Sequence, residues 1–263
     1  MKVTIFTGNR PRHIAFIEFI AGFYDTVYAI QISSSVFPYQ YGKYSSVLKD
    51  YFQRVNSAEQ KFYGQPRFLG NNVFQIPIAS KDIHQLSQEG LQPALESDLY
   101  IIYGFDFIQG KLCQFLIKRK AIIIHMGIAP EYHGHASNFW ALYDRQFDKV
   151  GVTVHLLTER LDQGPVLYHV LPSQTEMEPF EFGMNLVRNA YESIPHYWNK
   201  KEHYLAHAVP QDLTRRIRYT CSIDFTEQVA LEYLKNLPSA QEIEEALEIR
   251  DLQSYVNPWI GTA

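Results

Sequence analysis

Short apolar runs and amphipathic stretches alternate along the first half of the chain. The apolar runs have the length and composition of strands and cover residues 3–7, 27–32, 73–78, 99–103 and 121–125. The stretches between them have helical periodicity and cover residues from Pro11 onward and near 45–63, 81–93 and 109–118. Unbroken isoleucine runs indicate strands that are buried on both faces. We therefore predict an α/β fold with a doubly wound, mostly parallel sheet, whose ligands bind beyond the carboxyl ends of the strands.

The pattern changes after residue 170, where Pro179, Pro195, Pro210, Pro238 and Pro258 separate shorter elements. Residues 224–227 and 239–242 have the form of capping boxes, which predicts a helix start at each. We therefore predict a catalytic domain over residues 1–175 and a smaller C-terminal α+β extension over residues 176–263.

Composition narrows the class of protein. The 263 residues are 46% hydrophobic and 20% charged, which is typical of a globular chain. No apolar run approaches the roughly 20 residues that span a bilayer, and polar residues follow the N-terminus too early for a signal peptide. Cys113 and Cys221 form no disulfide or metal pattern. We therefore expect a cytoplasmic protein without a membrane partner.

Charge gives no reason to expect a nucleic-acid partner. The net charge is −4, and residues 171–263 hold 8 Lys and Arg against 14 Asp and Glu, which gives −6. Arg215, Arg216 and Arg218 form a short basic cluster in this acidic region, which favours a surface face or an interface. The tyrosine-rich stretch from Tyr39 to Tyr63 predicts a helix and a loop that pack over one edge of the sheet.

Candidate chemistry follows two strands. His125 ends the buried run 121–125, and a loop rich in proline and glycine comes directly after it. A second strand begins near Gly151 and leads to a loop that contains Asp162. If the two strands are neighbours, the carboxylate can orient the imidazole, as in a general acid–base pair.

A second candidate site lies between the first strand and the first helix. Helix N-termini favour anions, so Arg10, Arg12 and His13 are candidates to bind a substrate phosphate or diphosphate. This loop lacks the Gly-x-Gly-x-x-Gly pattern, which argues against a dinucleotide site.

Two linked motifs resemble those of a known family. Residues 125–134 read His-Met-Gly-Ile-Ala-Pro-Glu-Tyr-His-Gly, residues 138–140 read Asn-Phe-Trp, and residues 151–165 contain Gly-Val-Thr-Val-His and Leu-Asp-Gln-Gly-Pro. Over residues 1–170 the chain resembles the folate-dependent formyltransferases, which include glycinamide ribonucleotide, methionyl-tRNA and nucleotide-sugar formyltransferases. It is closest in appearance to the sugar N-formyltransferases.

The resemblance implies a function and a set of site residues. The formyl group of N10-formyltetrahydrofolate would pass to the amine of an amino sugar, in nucleotide-linked form, in polysaccharide biosynthesis. The implied catalytic residues are His125, Asp162 and His155. The implied cofactor-binding residues are Tyr103, Gly104, Phe105, Phe107, Leu161 and Asp162. The candidate substrate-binding residues are Gly8, Asn9, Arg10, Arg12, His13 and Asn138. We expect a small-molecule substrate, no metal and, as one option, a homodimer.

One position departs from the family pattern and leaves alternatives open. The family has a catalytic asparagine two residues before the histidine, where this chain has Ile123, which cannot donate a hydrogen bond. Asn138, or a backbone N–H near Gly127, is a candidate replacement. A second hypothesis is a catalytically impaired protein that binds folate or a partner. A third is a metal-dependent hydrolase, whose candidate ligands are His125, His133, His135 and Asp162.

Overall fold

A computed structural model describes residues 1–37, 40, 42–173 and 176–261. Its strands are β1 (Lys2–Gly8), β2 (Thr26–Ile32), β3 (Val73–Ile78), β4 (Leu99–Tyr103), β5 (Ile122–His125), β6 (Tyr132–Gly134), β7 (Val152–Leu156), β8 (Val166–Leu171), β9 (Arg218–Thr220) and β10 (Trp259–Ile260). Its helices are α1 (Pro11–Ala21), α2 (Ser46–Tyr63), α3 (Gly110–Lys118), α4 (Ser137–Tyr143), α5 (Pro179–Asn199), α6 (Lys201–Ala206), α7 (Glu227–Lys235) and α8 (Ala240–Glu248).

Eight of the strands form one sheet in the order β10-β8-β7-β5-β4-β1-β2-β3. All neighbours in it are parallel except β7, which runs antiparallel to both β5 and β8. Helices cover both faces, with α1, α2 and α5 against one core and α3 against the other. The predicted doubly wound, mostly parallel α/β sheet is confirmed.

Most predicted boundaries agree with the structure to within one residue, but the helix over 81–93 is wrong. That stretch forms three-residue to five-residue 3-10 turns, at Ser80–His84 and Glu89–Leu91. Pro93 forces the preceding Gln92 into an extended conformation, which ends any helix there. Of the predicted apolar face, Ile83 and Leu91 are buried, whereas Leu86 is exposed.

The two capping-box predictions have different outcomes. Ser239 and Glu242 form the reciprocal bonds of a capping box at the start of α8, as predicted. The other helix, α7, begins two residues later than predicted, because Thr226 caps it. Asp224 instead accepts a hydrogen bond from the backbone N–H of Cys221 and closes a 3-10 turn.

The tyrosine-rich stretch supplies core residues, as expected. Tyr51 and Tyr63 on α2 are buried, whereas Tyr39 and Tyr41 lie outside the described residues. In the described part of the chain, no helix is both long and apolar enough to cross a membrane.

Residues after 175 contribute to the same sheet and core. Helix α5 packs against α1 and α2, strand β10 extends the sheet beside β8, and β9 pairs with β6 in a separate two-stranded sheet. The division into domains at 175/176 stays a prediction.

Candidate active site

A cleft of about 430 Å³ lies at the carboxyl ends of β4 and β5. Strand β4 delivers Tyr103 and the loop behind it, and β5 delivers His125. Leu161 and Asp162 form the opposite wall. The cleft therefore lies where the doubly wound fold predicts a ligand site.

His125 is buried and has both ring nitrogens engaged. Its Nε2 donates to the carbonyl oxygen of Tyr132 at 3.0 Å. Its Nδ1 lies 3.5 Å from Oδ2 of Asp162, as expected if the two strands are neighbours. Because a carbonyl oxygen only accepts, the Nε2 atom carries a hydrogen, and Nδ1 is the nitrogen that faces the carboxylate.

His155 approaches the other oxygen of the same carboxylate. It lies on β7 opposite Ile123 of β5, is fully buried, and has its Nε2 3.9 Å from Oδ1 of Asp162. Its Nδ1 donates to the carbonyl oxygen of Leu156 at 2.9 Å. Burial lowers the pKa of His155 to about 4, so this ring is neutral at pH 7 and its Nε2 has no hydrogen.

Two ring nitrogens face the carboxylate of Asp162. With Nε2 of His125 and Nδ1 of His155 donating to carbonyls, the nitrogens that remain are Nδ1 of His125 and Nε2 of His155. The first of these is the nearer, at 3.5 Å, and forms a pair with Asp162. The pair therefore has the arrangement of a general acid–base site.

Thr153 holds the loop that follows His125. Its hydroxyl donates to the carbonyl oxygen of Gly127 at 2.6 Å and accepts from the N–H of Ala129 at 2.9 Å. Thr153 pairs with His125 across β5 and β7. The threonine of the second sequence motif therefore fixes the backbone of the first.

All six predicted cofactor-binding residues line this cleft, which is a geometric result and leaves their role a prediction. Gly104 has φ +59 and leaves no room for a side chain beside His13, so a glycine is required. Phe107 and Leu161 are partly exposed at the rim, and the ring of Phe105 packs edge-on against Phe6 at 5.5 Å. These groups form an apolar wall that suits a planar ligand.

Ile123 faces the cleft beside His125, because residues two apart on a strand share a face. The proposed replacements for its missing donor lie elsewhere. The N–H of Gly127 already bonds to the carbonyl oxygen of His125 at 3.0 Å. Asn138 lines an adjoining apolar cavity of about 220 Å³ that shares part of its wall with the cleft. Its Oδ1 accepts from the N–H of Gly151, and its Nδ2 has no hydrogen-bond partner among the described residues. Its substrate-binding role stays a prediction.

A second cavity of about 720 Å³ adjoins the cleft and shares part of its wall. Gly8, Arg10, Arg12 and His13 line it, as do four aromatic residues, Tyr44, Tyr51, Phe52 and Phe225. Asn9 does not line it, because its side chain is bonded to Ser34.

Glu59 occupies part of the predicted anion site at the start of α1. Its buried Oε1 accepts from the guanidinium of Arg12 at 2.9 Å and from the Arg12 N–H at 3.2 Å. Arg10 has no ion pair within the described residues, and burial, with Arg12 nearby, lowers its pKa. Among the described residues that line this cavity, Arg10 is therefore a guanidinium without an ion pair.

The structure also shows contacts that the sequence did not predict. Arg215 and Arg218 of the basic cluster form ion pairs with Glu131 and Asp144 inside the chain. Gln211 bonds to the backbone around Asp162. No motif around these residues indicated that they reach the loops of the cleft.

Comparison with known proteins gives a family match over the segment that supplies most residues of the cleft. The sequence model of the formyl transferase family matches residues 70–181. Methionyl-tRNA formyltransferase of Synechococcus sp. (strain JA-3-3Ab) is 27% identical over 123 residues, which are 46% of this chain and 38% of that protein. The Thermotoga neapolitana enzyme of the same name is 27% identical over 126 residues, 46% of this chain and 39% of that protein. The chain thus spans about two fifths of the length of these curated relatives.

Solved structures share the fold at low sequence identity. An N-formyltransferase from Helicobacter canadensis, in complex with folinic acid and dTDP-3-aminofucose, aligns with a TM-score of 0.52 and 14% identity, over 99% of this chain and 84% of that one. A 4-N formyltransferase from Francisella tularensis aligns with a TM-score of 0.51 and 15% identity, over 90% and 88%. The resemblance drawn from the sequence is confirmed: residues 70–181, which include His125 and Asp162, carry the formyl transferase family pattern on a formyltransferase fold.

Proposed function

We propose that the protein is an N-formyltransferase that moves a formyl group from N10-formyltetrahydrofolate to the amine of a nucleotide-linked amino sugar. The observation that carries the proposal is the His125–Asp162 pair, 3.5 Å apart, in a cleft that adjoins a second cavity of different character. One cavity has an apolar rim and the other has a free guanidinium with aromatic walls.

The 430 Å³ cleft fits the donor. Its volume is within the range of small-molecule sites, and Phe107 and Leu161 would contact the planar face of a reduced pterin. When bound, N10-formyltetrahydrofolate supplies the formyl carbon that the amine attacks. Among the described residues, no cluster of three or more His, Cys, Asp or Glu side chains could hold a metal, so the structure offers no support for the hydrolase hypothesis.

The pair would manage the proton of the reaction. As the new C–N bond forms, the amine loses a proton, and the leaving nitrogen of the donor gains one when its bond to the formyl carbon breaks. Asp162 and Nδ1 of His125 share a site for that proton at the edge of the cleft. His155, neutral and fully buried, would lie beside Asp162 without donating a hydrogen bond to it.

The second cavity supports an anionic, aromatic acceptor. Arg10 would bind a phosphate of the substrate, and Tyr44, Phe52 or Phe225 would contact the base or the sugar. The Helicobacter canadensis structure holds folinic acid together with dTDP-3-aminofucose, which is consistent with this pairing of ligands. The net charge of −6 over residues 171–263 argues against methionyl-tRNA as the acceptor.

The test is a transfer assay with N10-formyltetrahydrofolate and a panel of nucleotide-linked amino sugars. We expect one of them to be formylated, and we expect His125→Asn to abolish most of the turnover. Methionyl-tRNA serves as the competing acceptor, and its formylation in place of the sugars would contradict the proposal.

A second candidate, a folate-binding protein without turnover, is favoured by one observation. Ile123 faces the cleft where the family has a donor, and neither Gly127 nor Asn138 offers a free donor in the same cavity. Binding of reduced folate without transfer to any acceptor would support this candidate.

A further inference from the structure

Gln211 lies outside the family-matched residues 70–181 and contacts three groups around the candidate site. Its Nε2 donates to the carbonyl oxygens of Asp162 and Gly164, both at 2.8 Å. Its Oε1 accepts from Nε2 of His133 at 2.8 Å. The half-buried amide therefore has both hydrogens and its oxygen engaged, and its three partners lie on the loop after β7 and on strand β6, both beside the cleft.

These partners allow a single orientation of the Gln211 amide. The two carbonyl oxygens only accept, so the amide nitrogen must face them and the amide oxygen must face His133. Nε2 of His133 therefore carries a hydrogen. Burial lowers the pKa of His133, so the ring is neutral, with its single proton on Nε2.

Asp162 needs support of this kind because of its backbone. Its φ is +53, a left-handed conformation that is uncommon for residues other than glycine. Its carboxylate must also remain close to His125, at 3.5 Å, with one further bond from the N–H of Gly134 at 3.3 Å. The two bonds from Gln211 hold the peptide unit that follows Asp162 and the one that follows Gly164, both C-terminal to this strained residue.

We propose that Gln211 is a positioning residue: it fixes the loop of residues 158–165, the Asp162 loop, so that the carboxylate faces His125. Its action is indirect, through the backbone of Asp162 and the ring of His133. The kinetic consequence of the proposal rests on the proposed function, whereas the structural consequence does not.

Two variants and a control separate the bonds from the bulk of the side chain. Gln211→Met keeps a similar volume and removes all three bonds. Gln211→Glu keeps the oxygen that faces His133 but places a second oxygen against two carbonyls, so it should disturb the loop at least as much. Gln241→Met is the matched control, because Gln241 is exposed on α8 and bonds to Glu245 at 2.7 Å.

The first readout is independent of activity. Hydrogen exchange measured by mass spectrometry should become roughly tenfold faster at the two ends of the Asp162 loop in both Gln211 variants, where the N–H groups of Leu156 and Val166 bond to the carbonyl oxygens of Pro165 and Val209. The loop opens more often without its two bonds to Gln211, and exchange at these N–H groups follows that opening. The melting temperature and exchange elsewhere should match the Gln241→Met control. Unchanged exchange in the Asp162 loop would overturn the proposal, whether or not the protein transfers formyl groups.

The second readout uses the transfer reaction. Gln211→Met should lower kcat by roughly 30-fold and leave the KM for both substrates within threefold, since a displacement of about 1 Å can cost a factor of 10². If Gln211→Met lowered kcat only by destabilising the whole protein, the melting temperature would fall as well. A kcat within twofold of the parent would overturn the positioning role, and an inactive parent protein would contradict the proposed function but leave the exchange test in force.

Discussion

His125 and His13 end up on the same cleft, with nearly equal burial, but in opposite electrostatic settings. They are 7% and 6% exposed, and both line the 430 Å³ cavity. His125 faces the carboxylate of Asp162 at 3.5 Å. His13 packs edge-on against Tyr103 at 5.1 Å, and burial, with the guanidiniums of Arg12 and Arg10, lowers its pKa well below the ordinary value.

The difference shows how one sheet edge provides two kinds of site. The start of α1 and the residue before it hold a neutral imidazole and two guanidiniums, of which Arg12 is paired with Glu59, and this arrangement suits the binding of an anion. The strands β5 and β7 and the loop after β7 hold a carboxylate between two imidazoles, which suits the transfer of a proton. Burial is the same at both, so the neighbouring charges decide the chemistry.

The largest effect should come from the same substitution in the two histidines. We expect His125→Asn to lower kcat for formyl transfer by roughly 10³-fold, within the 10²–10⁴ that general acid–base catalysis contributes. His13→Asn should lower kcat far less and act on the KM of the acceptor. Steady-state kinetics of both variants, with melting temperatures as the folding control, check this. Equal losses of kcat in the two variants would contradict the assignment of proton transfer to His125 and of binding to the end of the cleft that holds His13.

Acid should destabilise the protein because it protonates His169, which is buried and neutral at pH 7. His169 is buried, accepts at Nδ1 from the N–H of Val256 at 2.9 Å, and has a pKa of about 4, because burial lowers it. A lowered pKa gives stability that is fully present above pH 6.5 and is lost as the pH falls toward 4. The shift of roughly 2.5 units corresponds to about 3 kcal/mol.

Urea unfolding between pH 7 and pH 4 measures this loss. His169→Gln keeps an acceptor and a donor but cannot titrate, so the fall in the free energy of unfolding should become smaller. An unchanged pH dependence in His169→Gln would show that His169 is not one of the neutral histidines.

Arg10 offers a test of the anion-binding end alone. Arg10→Gln should raise the KM for the acceptor roughly tenfold or more, because a hydrogen bond to a charged group contributes about 1.5–3 kcal/mol. The kcat should stay within about threefold if Arg10 acts in binding. Arg54→Gln is the control, since Arg54 pairs with Asp50 on the exposed side of α2. A fall in kcat without a change in KM would contradict the assignment.

The smallest expected effect is a gain at the proton-transfer end. Ile123→Asn should raise kcat roughly tenfold, a fraction of the 10²–10³ that one oxyanion donor contributes. Ile123→Val serves as the control for lost volume, because it shortens the side chain without adding a donor. If Ile123→Asn leaves an active enzyme unchanged, a group other than residue 123 stabilises the oxyanion.

The sequence was sufficient to predict the proximity of His125 and Asp162. The two linked motifs indicated it, whereas the carboxyl-end rule does not explain it, because β7 runs antiparallel to β5 and its carboxyl end lies beside Ile122. The antiparallel direction of β7 could not be predicted in this way. The residue pattern of a five-residue strand is the same whether the strand runs parallel or antiparallel to its neighbours. The apolar periodicity of residues 81–93 predicts a helix, but Pro93 prevents it, and the stretch forms 3-10 turns instead.

Gln211 shows a second limit of the sequence. Its partners, Asp162 and His133, are 49 and 78 residues away along the chain. Only the course of the C-terminal segment over the cleft brings them together, and nothing in the residues near Gln211 encodes that course. Arg218 is similar: the sequence indicated a surface cluster, and the structure pairs it with Asp144.

Strand β10 has a consequence for solubility. It consists of two residues, Trp259 and Ile260, which pair with Val170 and Leu171 of β8. All six residues of β8 are buried, and their sequence, Val-Leu-Tyr-His-Val-Leu, combines high β-propensity with no charged carboxylate or ammonium. An open edge of that composition is a template for pairing with another chain. Two residues near the C-terminal end of the described chain thus cover part of the edge of a strand whose residues are all buried.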